Sequence, residues 1–97
     1  MHQVVATTTD LGLTDGETLT MESVVEAMQF KTEGRFPCEI ESLKRKLLMG
    51  SSDFTENEMM VANVLMSLAL VETNGHSHIV KNVVPLQKKI LDALSPV

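Results

Sequence analysis

From Met59 to Val71 the chain runs for 13 residues with only Asn63 and Ser67 breaking an otherwise apolar stretch. That run is too short to cross a bilayer, which takes about 20 apolar residues. It is also too uniformly apolar for a helix lying on the surface of a small domain, where half the circumference is ordinarily polar. At 100° per residue, Glu56, Asn63, Ser67 and Asn74 fall in a sector about 40° wide, and nearly everything else is hydrophobic. Such a helix is enclosed by the rest of its own chain, or it meets another chain along one flank.

The run has a marked beginning. Thr55 followed three residues later by Glu58 is a capping box, in which each side chain satisfies the other residue's backbone N–H. Phe54 before the cap and Met59 inside the first turns fit a hydrophobic staple. The sequence therefore predicts a helix over 55–73.

Three further helical segments are expected around it. Met21, Val24, Val25 and Met28 recur at i, i+3, i+4 and i+7, which predicts a helix over 20–33 ending at Gly34 as a left-handed cap. Pro37 suits a first helical position, and Ile40, Leu43 and Leu47 form one stripe, predicting 37–49 before Gly50. There Glu39 and Glu41 lie toward the positive end of the helix dipole, and Lys44, Arg45 and Lys46 toward the negative end. The fourth segment, 77–94, carries the stripe Ile79, Val83, Leu86 and Ile90, widened by Val80, Val84, Leu91 and Leu94. Pro85 lies within it. The apolar phase continues across the proline and favours a kinked helix, while the cost of an internal proline, about 3 kcal/mol, leaves a break at Pro85 open. The expected fold is all-α, a single-domain bundle over 20–97.

Residues 1–19 read as an extended, flexible, acidic N-terminal arm, with Asp15-Gly16 as a turn and Val4–Thr9 as a segment able to pair as an edge strand. The charge is lopsided. Asp10, Asp15, Glu17, Glu22 and Glu26 stand in the first 30 residues with no Lys or Arg, which accounts for the whole net charge of −5. An acidic chain of this kind argues against binding dominated by phosphate contacts. Lys44-Arg45-Lys46 is the one compact basic cluster, and it complements a helix dipole. A helix-turn-helix reading of the second and third helices fails because the third bears Glu56 and Glu58 and almost no groups that read bases.

Catalytic and metal chemistry find little to work with. His76 and His78 form an H-x-H beside Gly75, but zinc needs three or four ligands, and His2 and Cys38 are remote in sequence. The lone Cys38, second in its helix, is expected to be a structural, buried or half-buried residue, and a single cysteine fits a reducing compartment. No calcium loop, phosphate loop, dinucleotide fingerprint or nucleophile motif occurs. We therefore expect no cofactor, no metal and no enzymatic activity.

With three Phe, no Trp or Tyr, and seven Met, the core and any contact face must be aliphatic and Met-rich, a composition suited to adaptable surfaces. The expected function is that of a small cytoplasmic regulatory or adaptor protein acting by binding, for example by sequestering a transcription factor or enzyme. The expected partner is another protein, with homodimerisation through Met59, Met60, Asn63, Met66, Ser67 and Leu70, and without direct contact to nucleic acid or membrane. The alternative is a structural subunit whose apolar face is permanently covered.

Overall fold

A computed structural model describes residues 7–74 and 77–95, with the side chains of 77–79 outside that description. Thr8–Asp10 form β1 and Asp15–Met28 form α1, which tightens into a 3-10 turn over Gln29–Thr32. Pro37–Leu48 form α2, Asp53–Thr55 form β2, Glu56–Glu72 form α3 and Ser77–Leu94 form α4. The protein is thus mostly helical, four α-helices accompanied by one two-stranded antiparallel sheet.

The first helix starts five residues before the expected position, and the reason is local. Thr14 Oγ1 accepts from the Glu17 N–H at 3.1 Å while Glu17 Oε1 accepts from the Thr14 N–H at 2.9 Å. This is a second capping box with the same T-x-x-E spacing as Thr55 and Glu58, and it turns Asp15-Gly16 from a turn into the first turn of α1. At the other end Glu33 and Gly34 both take left-handed backbone conformations (φ 56° and 80°), with Gly34 in the conformation expected of it.

The flexible-arm expectation for 1–19 fails over its second half. Thr8, Thr9 and Asp10 pair with Thr55, Phe54 and Asp53, and the Leu11 N–H donates to the Ser52 carbonyl at 3.0 Å. Leu11 is buried beside the core. The strand partner is the chain's own segment just before α3, so three β-branched or acidic residues are fixed by backbone pairing and one leucine anchor. The Val4–Ala6 portion of the expected edge strand lies outside the described residues.

The core is built on one side of α3. Ala62, Leu65, Met66 and Ala69 face Met21 and Val25 of α1, Leu43 and Leu47 of α2, and Val83, Leu86 and Ile90 of α4, with Phe54 closing the end. The expected stripes of α1 and α2 are buried as read. Two alanines at the centre of α3 let neighbouring helices approach closely.

The fourth helix is continuous through Pro85. Proline deprives the carbonyl of the residue four before it of a donor. That residue is Lys81, and both it and Pro85 are exposed, on the outer side of the helix. Lys89 joins α4 to the start of α1, its Nζ lying 2.8 Å from Glu17 Oε1. This bond comes first among the causes that hold the Glu17 carboxyl below its ordinary value, followed by the Thr14 N–H. No helix among the described residues is long and apolar enough to cross a membrane.

Candidate protein-binding face

Once the core occupies one side of α3, the remaining sides can be assigned by helical spacing. Relative to Ala62, residues 63, 67 and 70 lie 80–140° around the helix, and residues 60, 64 and 71 lie 160–200° around it, opposite the core. The side chains obey this division. Asn63 Oδ1 and Ser67 Oγ both accept from Gln87 Nε2 of α4, at 2.8 and 2.9 Å. Met60, Val64 and Val71 point outward and are 50%, 39% and 75% exposed.

The polar stripe that marked this helix in the sequence is therefore used inside the chain, to seat α4. The middle of the side left to solvent is apolar, with Glu56 and Ser67 along one edge and Glu72 at its end. From Asn57 through Met60, Val64 and Leu68 to Val71 it carries no charged group. A helix whose Asn63 and Ser67 are bonded to a neighbouring helix while Met60, Val64 and Val71 face water is not arranged for solubility alone.

Of the six residues expected to form the contact face, Met60 is half-exposed, Asn63 and Leu70 are partly buried, and Ser67 is exposed but bonded to Gln87. Met59 and Met66 are corrected: both belong to the core, Met66 with no exposure at all. The expected flank was centred about 100° away from the outward side. Val64 and Val71 were missed, although the spacing of 60, 64 and 71 is itself that of a helical stripe.

Neighbouring elements extend the apolar side. Phe36, in a left-handed conformation just before α2, shares a groove with Val64. With Glu39, Asn57 and Met60 they line a shallow groove of about 410 Å³. A second groove adjoins it on the far side of Phe36 and Val64, lined by Lys31, Arg35 and Leu68. On α4, Val84 and Leu91 share the side of Gln87 and are also exposed.

Comparison with known protein families, characterised proteins and solved structures finds no match to this chain. The reading of this face therefore stands on its own chemistry.

A further polar constellation is centred on Glu58. Its carboxylate is almost fully buried and accepts from the Thr55 N–H and Lys46 Nζ, each at 2.7 Å, and from the Ser42 hydroxyl. Burial alone pushes its pKa up. The bonds from Lys46, Ser42 and Thr55, with the Lys46 charge, outweigh that and hold it below the ordinary carboxylate value. Lys46 also lies over the Phe54 ring, 5.8 Å from its centre. None of the grooves just described opens onto this group, and its oxygens are committed to the chain. It caps α3 and ties α2 to it.

Cys38, expected to be buried or half-buried, is exposed, because the second residue of α2 precedes the buried stripe. The His76 part of the H-x-H motif and the His78 side chain lie outside the described residues, as does His2. No group of three His, Cys, Asp or Glu able to hold a metal occurs among the described residues.

Proposed function

We propose that this chain is a small regulatory or adaptor protein that acts by binding another protein through the outward side of α3, and that it has no catalytic role. The observation that carries the proposal is the uncharged stripe of Met60, Val64 and Val71, exposed while the same helix's Asn63 and Ser67 are spent on Gln87. Large exposed apolar patches on small proteins mark contact surfaces. Methionine adds the adaptability that helix-in-groove recognition uses. A sequestering function, in which a transcription factor or enzyme is held by this face, fits a domain among whose described residues no nucleophile, base or cofactor cradle is assembled. The exposed free thiol of Cys38 fits a reducing, cytoplasmic setting.

The test compares the wild-type chain with Met60→Lys and Val64→Lys as bait in the native host, with the captured proteins identified by mass. Both variants are expected to keep the wild-type circular dichroism spectrum and to lose a partner that the wild type captures reproducibly. Retention of every captured protein by both folded variants would remove the basis for the proposal. A second reading, a permanent subunit of a larger assembly, draws support from further exposed apolar groups away from this face, Leu19, Leu48 and Met49. That reading expects the isolated chain to aggregate.

A further inference from the structure

Resting on the reading of the outward side of α3 as a protein-binding face, we infer that when no other partner is bound its occupant is a second copy of this chain, packed with α3 antiparallel to its counterpart about a two-fold axis at Val64. The argument starts from the symmetry of the stripe. Met60 and Leu68 stand four residues to either side of Val64, and Asn57 and Val71 seven, so an antiparallel mate sets Met60 on Leu68 and Val64 on itself.

Glu33 apart, the charges beside the stripe carry the same symmetry with opposite sign. Phe36 and Val64 line both grooves and mark the midpoint. Toward the start of α3 the groove holds Glu39, next to Met60 and Asn57. Toward its end the groove holds Lys31, Glu33 and Arg35, next to Leu68. Lys31 is engaged by Glu72 of its own chain at 3.7 Å. Among the described residues neither Arg35 nor Glu39 has an ion-pair partner within the chain.

A two-fold axis across the helix reverses the direction of α3 but keeps the α2 flank on the same side. Glu39 of each copy is thereby brought to Arg35 of the other, and the pair forms twice. An unrelated helical partner would have no reason to match both the spacing about Val64 and the sign reversal. The acidic residues of α1 do not oppose this arrangement, since α1 packs on the core side of α3, away from the stripe.

The area is sufficient for a modest dimer. Seventeen residues of helix span about 25 Å, and a footprint about 20 Å wide buries roughly 500 Å² per copy, or about 1,000 Å² in total, the lower end of specific interfaces.

The experiment is sedimentation equilibrium on the full chain over a concentration series to about 500 μM, a range chosen for an interface of this size. A species of twice the 10.7 kDa protomer mass is expected. Arg35→Glu and Glu39→Arg should each weaken association roughly tenfold, because each reversal places two like-charged contacts in the interface. The double variant Arg35→Glu/Glu39→Arg should recover affinity to within about threefold of wild type, as the contacts are restored with their signs exchanged. A wild-type monomer throughout the series overturns the second-copy inference, and capture of another protein by the same face then remains a separate question. A dimer lost in Val64→Lys but indifferent to both charge reversals overturns the antiparallel register and keeps the face. A dimer that survives Val64→Lys overturns both.

Discussion

Removing the Glu58 carboxylate tests most directly how the helices are joined. Glu58→Ala deletes the half of the capping box that serves the Thr55 N–H, and strips Lys46 and Ser42 of their shared acceptor. Breaking a buried pair from one side costs about 3–5 kcal/mol when the remaining charge stays buried. Lys46 is 26% exposed and can turn to water, which lowers that figure, while the orphaned cap adds part of the usual 0.5–2 kcal/mol. The expected loss is about 3 kcal/mol, a large share of the roughly 5–15 kcal/mol available to a domain of this size. Urea unfolding followed at 222 nm should show the midpoint falling by about 1.5 M for a slope near 2 kcal/mol/M. Glu58→Gln keeps an acceptor for Thr55 and Lys46 and should lose less than half as much.

The pH dependence supplies a second readout. The native Glu58 pKa is below its ordinary value of 4.5, so its contribution is complete above 4.5 and is lost as pH falls from there through the native value. Wild type should therefore lose stability on acidification more steeply than Glu58→Gln. An Ala variant within 0.5 kcal/mol of wild type, with an unchanged acid limb, would refute the network's role in joining α2 to α3.

Met66→Lys should unfold the protein and Met60→Lys should change stability by less than about 0.5 kcal/mol, as thermal melts will distinguish, because one side chain is fully buried and the other half in water. Thr14→Ala should cost about 1 kcal/mol by urea unfolding, the usual value of an N-cap, which it would not do if the helix began at Thr20. Pro85→Ala should stabilise by about 2 kcal/mol, the recovered helix bond outweighing the entropy that Ala restores to the unfolded chain. That corresponds to a rise of roughly 10 °C in Tm; a lower Tm would mean that the proline is a packing requirement of α4.

The fold was legible where a local signal and a periodic one coincided. Thr55, Glu58 and Phe54 marked the start of α3 because capping chemistry acts within four residues. Ile40, Leu43 and Leu47 disclosed the buried side of α2 by spacing alone. Thr14 and Glu17 carried the same capping signal, but Asp15-Gly16 between them resembles a turn, and the nearer apolar residues Leu11 and Leu13 do not continue the α1 stripe. The pairing of β1 with β2 was invisible for a different reason. Its partner lies 45 residues away, and register between three-residue strands is set by the helices that bring them together.

The contact face shows the limit of periodicity most clearly. A helical wheel fixes which residues of α3 lie on a common side, but not which side the other helices will cover. In the wheel the Asn63–Ser67 sector looks like the wet edge, and its opposite like the core. Gln87 shifts that assignment: an amide on α4 that donates to both draws the polar sector into a helix–helix contact, and the core spans Leu65, Ala69, Ala62 and Met66. Water then falls to Met60, Val64 and Val71. The shift needs a single residue in another helix, so no window around α3 contains it. With Asn63 and Ser67 already bonded to Gln87 of α4, the outward stripe of Met60, Val64 and Val71 is the surface on which the proposed protein contact rests.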